Sequence, residues 1–402
     1  MIGSLLGFLA VLFLLFYQGI NENLINWNAI TPFLITFPFL FLLIEAFSFL
    51  FLLNPLEKAS KNSSPHIFSL IKKNKTLLLF SFFLFSFAIF SLLLAAFAPF
   101  ESRYPLAIWL FFFGVSFDCL KFLLTQERSY LDPFSAIWQF KAEGIKEIQN
   151  QKEIELCSSI DALAETSTKA IKNESPSLAN TAIDAIQELS HVFLESSKSI
   201  SHQNQDKEMQ SLGIQDKVTY ILAYLFQKLN FISDKALQEK LEPVVSFLIT
   251  ATGKIALHAA KCDMTLSISP LLHFGKFSVK AVEQNFLDAG VRATCTLLEI
   301  AKVIVNEIDL KYLEIQEPFF CLIGQLETIS KELFKQDKSI KIALLAQPFI
   351  DLKTLFQSEA LATHQDTPVI QKDLDRILAE LQMLETVMRT MPPIGASLTD
   401  LK

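Results

Sequence analysis

Three ionisable side chains interrupt otherwise apolar runs near the N-terminus: Glu45, Asp118 and Lys121. At the centre of a bilayer each would cost about 2.5–3.5 kcal/mol, so such residues are functional candidates by default. Glu45 lies eight residues before the end of its run; Asp118 and Lys121 lie seven and four before the end of theirs. If those ends face the same side of a membrane, the three charges form an intramembrane polar cluster at one depth. Asp118 and Lys121 are spaced i,i+3 and share a helix face, and Glu45 is expected to reach them across the bundle. Two chemistries suit the cluster. One is packing glue, with Lys121 snorkelling to the headgroups. The other is a proton or ion path completed by oligomerisation.

Elsewhere the residues that do chemistry are sparse. His258 and Cys262 are spaced i,i+4, with His273 nearby, a spacing that offers two zinc ligands from one helix. No second close pair accompanies them, and partly buried core residues are the better reading. Glu188 and His191 make one ExxH step, whereas a di-iron bundle site needs two such helices. No GxGxxG, P-loop, GxSxG or HExxH occurs, and 11 glycines leave little material for phosphate-cradling loops. The expectation is a non-enzyme without cofactor or metal.

The elements that must position the three charges are four apolar runs, about 2–17, 31–53, 76–98 and 105–125, making a transmembrane domain over 1–128. Twenty-two helical residues span about 33 Å, enough to cross a bilayer core. Of 38 phenylalanines, 26 precede Lys141, read as lipid-compatible filler. No Lys/Arg-rich n-region or small-residue cleavage site marks the first run, so it is read as a retained helix. Lys58, Lys61, Lys72, Lys73 and Lys75 fall between the second and third runs; the flanking loops carry only Arg103. Positive charge marks the cytoplasmic side. Both termini are therefore expected in the cytoplasm, most simply at a bacterial inner membrane.

Beyond 128 the pattern is helical, and the fold class is all-α: a four-helix transmembrane region followed by an antiparallel array, either irregular solenoid or bundle. Prolines following polar residues read as helix starts, as at Asp132–Pro133, Ser175–Pro176, Glu242–Pro243, Ser269–Pro270, Glu317–Pro318, Gln347–Pro348 and Thr367–Pro368. Apolar residues recur at helical spacing: Ile214, Val218, Ile221, Leu225 and Leu229 on one face, Val244, Leu248, Ala251 and Ile255 on another, and Leu297, Ile300, Ala301 and Ile304 on a third. The divisions are a helical segment over 129–200, a polar linker over 201–213, the array over 214–391 and a flexible tail over 392–402. In the last helix Ile370, Leu374, Ile377, Leu381, Leu384 and Met388 step by three and four, which suits an oligomerisation seam. The same stripe equally suits a final helix closing the array.

Charge bounds the partners. Through Arg128 eight basic and six acidic residues give +2; the whole chain carries −7, so the remainder carries −9. That sign does not fit nucleic acid. The expected partners are the lipid bilayer and a cytosolic protein, with a homo-oligomer as a further possibility. Five scattered cysteines without a CxxC pair fit free thiols in a reducing compartment.

The stretch Ser175-Pro176-Ser177-Leu178-Ala179-Asn180-Thr181-Ala182-Ile183-Asp184 and the segment Val279–Val305 resemble a family of uncharacterised bacterial membrane proteins. The resemblance covers about a quarter of the chain and implies four N-terminal spans and a helical cytosolic domain. It assigns no activity. The hydrophobic hairpin Thr76–Thr125 is similar in outline to chlamydial inclusion-membrane proteins.

Overall fold

The computed structural model describes residues 75–97, 104–203, 208–311, 313–358 and 361–390, with 3–5, 7–9, 11, 32–33, 35–44, 46, 64, 66 and 71 nearer the N-terminus. Among the described residues the chain is helical and contains no strand. It divides into two compact units, Met1–Gln139 and Phe140–Lys402. The boundary falls eleven residues beyond the expected 128, inside a helix.

The first unit contains α1 (Lys75–Phe97) and α2 (Tyr104–Leu131), which pack on each other, and the start of α3 (Pro133–Gln149). Described residues within 3–11 and 32–46 are helical too. The remainder of the expected spans 2–17 and 31–53 lies outside the described residues, as does the lysine-bearing loop apart from Lys75.

Among the described residues three helices are long and apolar enough to cross a membrane: Leu78–Ala96, Leu106–Thr125 and Glu242–Cys262. Only 22% and 44% of the first two windows is buried inside the protein, against 61% of the third. The third belongs to the second unit, where its apolar side chains meet other helices. Protein interior therefore accounts for its hydrophobicity. The first two turn large apolar groups outward, such as Leu78 at 73% exposure on one and Phe117 at 51% on the other.

The phenylalanines are more than filler. Phe113 of α2 meets Phe37 edge-on at 5.3 Å, Phe41 at 5.4 Å and Trp109 at 5.2 Å between ring centroids. Phe80 of α1 meets Phe122 of α2 at 4.8 Å. Such ring pairs contribute about 0.5–1.5 kcal/mol beyond their buried area.

The second unit is a two-layer array. It comprises α4 (Glu153–Lys172), α5 (Pro176–Gln203), α6 (Glu208–Gln238), α7 (Glu242–Cys262), α8 (Ile268–Glu283), α9 (Leu287–Glu307), α10 (Gln316–Gln336), α11 (Ile342–Phe356) and α12 (Thr367–Thr390). One layer runs α4, α6, α8, α10, α12, each against the next; the other runs α5, α7, α9, α11. The apolar faces read from the sequence point between them. Val218, Ile221, Leu225 and Leu229, Val244, Leu248, Ala251 and Ile255, and Leu297, Ile300, Ala301 and Ile304 are all buried; the Ile214 side chain lies outside the described ones.

Four turns share one geometry. Gln151, Glu174, Lys240 and Asn285 adopt left-handed φ of 55°, 50°, 55° and 67°. The next residue's N–H donates five residues back: Lys152 to Glu147, Ser175 to Ala170, Leu241 to Ala236 and Phe286 to Ala281, at 2.9–3.0 Å. This is the Schellman ending, usually made with glycine. It folds each helix back in three residues.

Two sequence expectations need correction. Helix α5 continues through Gln203 and α6 begins at Glu208, so the linker expected over 201–213 is helical on both sides of 204–207, which lie outside the described residues. Nor does it separate two domains, because α5 packs on both α6 and α7. Pro348 does not start a helix but sits inside α11. The helix begins six residues earlier because Ile342, Leu345, Phe349, Leu352 and Phe356 supply a buried stripe, whose burial outweighs one lost hydrogen bond. The tail expected over 392–402 lies outside the described residues.

Candidate functional site

In the first unit Gly3, Gly7 and Gly114 make a close helix crossing. A Cβ on Gly114 would come within 2.2 Å of the Gly3 carbonyl oxygen and 3.1 Å of the Gly7 Cα. A Cβ on Gly7 would come within 2.9 Å of the Leu110 carbonyl oxygen. Gly3 and Gly7 are a small-xxx-small pair of the kind that lets membrane helices touch backbone to backbone.

One turn beyond Gly114, Asp118 meets the start of that N-terminal segment. Its Oδ1 accepts the Gly3 N–H at 3.0 Å; its Oδ2 accepts the Ser4 N–H at 2.8 Å and the Ser4 hydroxyl at 2.7 Å. First-turn N–H groups lack partners within their own helix, and in hydrocarbon each must find one. A carboxylate there also lies at the positive end of the helix dipole. Thus Asp118 is a cap supplied from a distant helix. A second polar link joins α2 to α1, where the Trp109 indole N–H donates to the buried Ser91 hydroxyl at 2.6 Å.

Of the expected polar cluster, only the Asp118–Lys121 pair falls within the described residues. Among the described residues no ion pair joins Asp118 to Lys121; Lys121 is exposed and Asp118 turns to the Gly3–Ser4 backbone. Glu45 lies outside the described residues. Sequence reasoning missed the glycines, although the four-residue spacing of Gly3 and Gly7 was a readable signal.

In the second unit ion pairs cross adjacent helices of each layer. Glu153–Lys217 and Asp161–Lys228 join α4 to α6, each at 2.8 Å, and Asp234–Lys280 joins α6 to α8 at 2.6 Å. In the other layer Lys261–Glu307 joins α7 to α9 at 2.6 Å and Lys302–Asp351 joins α9 to α11 at 3.6 Å. Where α5 meets α7, two histidines face each other instead. The His191 and His258 rings lie 3.9 Å apart between centroids, and His191 Nε2 is 3.2 Å from Glu195. Burial, then the neighbouring His191, pushes His258 down to about 4.

The zinc trio is dispersed. His258 turns to His191, while His273 stacks on Phe226 at 5.0 Å and its Nδ1 lies 3.1 Å from the Asn230 amide. Glu188 pairs with Lys141, and His191 Nε2 lies beside Glu195, so the two residues of the ExxH step turn to different partners. Among the described residues no three His, Cys, Asp or Glu side chains are grouped to hold a metal. Burial raises the Cys157 thiol and pushes Cys321 up to about 11, opposite to what a nucleophile needs.

Comparison with known protein families, curated proteins and solved structures finds no match to this chain.

The seam of the last helix is spent inside the chain. Ile370, Leu374, Ile377 and Leu381 are buried against the rest of the array, where α12 lies on α10 and α11. Arg376 bridges Glu327 and Glu380, and Lys331 bridges the same two carboxylates, fastening α12 to α10. Only past Leu381 does the stripe emerge. Leu384 and Val387 are exposed, Met383 to 70%, and Met388's side chain is outside the described ones. Thus the closing-helix alternative describes this stretch, and an intermolecular seam over Ile370–Leu381 would require it to detach.

Proposed function

We propose that the chain is an integral protein of a bacterial cytoplasmic membrane, anchored by four N-terminal helices, with a non-catalytic helical array offered to a cytosolic protein partner. The observation that carries this reading is the contrast between the units. In the first, α1 turns Leu78, Leu79, Phe82 and Phe85 outward and α2 turns Ile108 and Phe117 outward, which water tolerates poorly and lipid accepts. In the second, apolar side chains are directed between two helical layers and ion pairs cross adjacent helices outside.

The lysine-rich loop before α1 supports a cytoplasmic array. The acidic balance beyond Arg128 supports a protein partner carrying basic groups over nucleic acid. Glu45, Asp118 and Lys121 are the residues a small oligomeric channel or transporter would use. Engagement of Asp118 by the Gly3 and Ser4 amides favours a structural role over conduction.

The test uses the full-length protein. Purified from membranes, it should retain a protein partner at fixed stoichiometry, and in proteoliposomes it should leave proton and cation permeability at the lipid background. Ion flux that falls on Glu45→Gln would overturn the scaffold reading in favour of transport.

A further inference from the structure

Across one layer of the array, α6, α8 and α10 bring together a row of surface residues that the fold itself does not use. Neighbouring contacts fix their level. Asn230 of α6 lies 3.1 Å from His273 of α8, and Asp234 pairs with Lys280, so Phe231 stands level with the turns between His273 and Lys280. On the other side of α8, Cys321 of α10 donates to the Ile268 carbonyl at 3.7 Å, and the Gln325 side chain lies over Gly275. Gly324 is therefore level with Leu272. The row reads Phe231, then Leu272 and Lys276 one turn apart, then Gly324.

Each member departs from what a water-facing surface favours. Phe231 and Leu272 are exposed by 62% and 40%, where a surface helix is normally polar. Lys276, exposed beside them, has no ion pair among the described residues. Every other lysine of α6, α8 and α10 has one: Lys217, Lys228, Lys235, Lys280, Lys331 and Lys335. Gly324 stands mid-helix, where glycine weakens a helix relative to alanine. A Cβ there would meet nothing within 4 Å, so no described neighbour requires its absence. Glycine at such a point lets a second backbone approach closely.

From this row we infer that α6, α8 and α10 form the docking face of the array, and that its occupant is an amphipathic helix of another protein laid across all three. Apolar side chains of that helix cover Phe231 and Leu272, a carboxylate between them pairs with Lys276, and the helix passes closest at Gly324. Packed helices lie about 8–10 Å apart, so the row is roughly 16–20 Å long and matches about 11–13 residues of a crossing helix. A helix suits it better than an extended peptide. The backbone groups of α6, α8 and α10 are spent within those helices, and a helical partner arrives with its own backbone bonds made. A second copy suits it less, because a symmetric pairing through the row would turn one Lys276 toward the other. The inference rests on the proposed role of the array in holding a protein partner and assigns the face and the chemistry.

The experiment selects binders on the full-length protein in detergent from a phage-displayed library of helical peptides about 16 residues long, enough to span the row. Selected peptides should carry an acidic residue flanked by apolar ones on one helix face. Phe231→Ala, Lys276→Glu and Gly324→Leu should each weaken them about tenfold, and selection repeated on Lys276→Glu should return Lys or Arg at the acidic position. Urea midpoints should hold in all three variants, and rise in Gly324→Leu, so that binding falls while the fold does not. A library that yields no binder, or binders without an acidic preference that hold all three variants as well as the parent, would overturn the inference. So would a parent particle whose mass halves in Phe231→Ala by light scattering, which would give the row to a second copy. A protein partner that co-purifies as well with Phe231→Ala and Gly324→Leu as with the parent would overturn this inference and leave the scaffold reading standing. The absence of any partner on the parent would overturn that reading, and this inference with it.

Discussion

Gly114 shows how closely backbone can approach backbone in this protein. Its missing side chain would collide with carbonyl oxygen and Cα of the N-terminal segment, atoms that cannot rotate away. Gly114→Leu is therefore expected to force the segment off α2 and destabilise the first unit by about 1–3 kcal/mol, read as a lower unfolding midpoint in detergent. Gly324→Ala is the control: a Cβ there meets nothing within 4 Å, and alanine favours helix by up to about 1 kcal/mol. His258 gives a second test. Its value of about 4 lies below the ordinary 6.5, so between those values the unfolded chain binds the proton more readily. Stability from this site is complete above pH 6.5 and is lost as pH falls toward 4. Doubly protonated rings at 3.9 Å would repel across the α5–α7 junction, although Glu195 tempers this. Chemical denaturation from pH 7 to 4 should show the decline, and His258→Gln should flatten it relative to the parent.

At the scale of elements, much of the array was legible. Pro133, Pro176 and Pro368 stand in the first turns of α3, α5 and α12, and the expected apolar faces are the buried ones. The illegible parts had physical causes. Glycine is the usual sign of a Schellman ending, and here Gln151, Glu174, Lys240 and Asn285 take its place, so the turns carried no mark. Pro348 was misleading because tertiary burial of its helix overrode the local rule. Asp118 was found, but not its partner, since a backbone N–H more than 110 residues away leaves no trace in side-chain types. The His191–His258 pair likewise depends on which helices become neighbours. Both exceptions to local rules predict gains. Lys240→Gly should stabilise the second unit by about 1 kcal/mol by relieving a left-handed residue. Pro348→Ala should stabilise it by about 1–3 kcal/mol by restoring an N–H to the Leu344 carbonyl, both measured as raised urea midpoints.

For the whole molecule, the two units divide their hydrophobicity differently. The array buries an apolar core between its layers, and α12 closes its end. Leu374→Ala should therefore cost about 2–5 kcal/mol of stability without changing the mass of the detergent-solubilised particle by light scattering; a drop to a smaller particle at unchanged stability would restore the intermolecular seam. The N-terminal unit, besides burying Leu84, Phe87 and Trp109, turns large apolar groups outward, and the account stands on a bilayer covering these with the array on the cytoplasmic side. Cys295 tests this most directly because it is exposed on the array, whereas Cys119 is buried and Cys157, Cys262 and Cys321 are partly buried. A membrane-impermeant maleimide should label the protein in inverted inner-membrane vesicles and lose most of that label in Cys295→Ser, while right-side-out vesicles remain unlabelled. Labelling of Cys295 in right-side-out vesicles, or its recovery in the soluble fraction of both, would contradict the account.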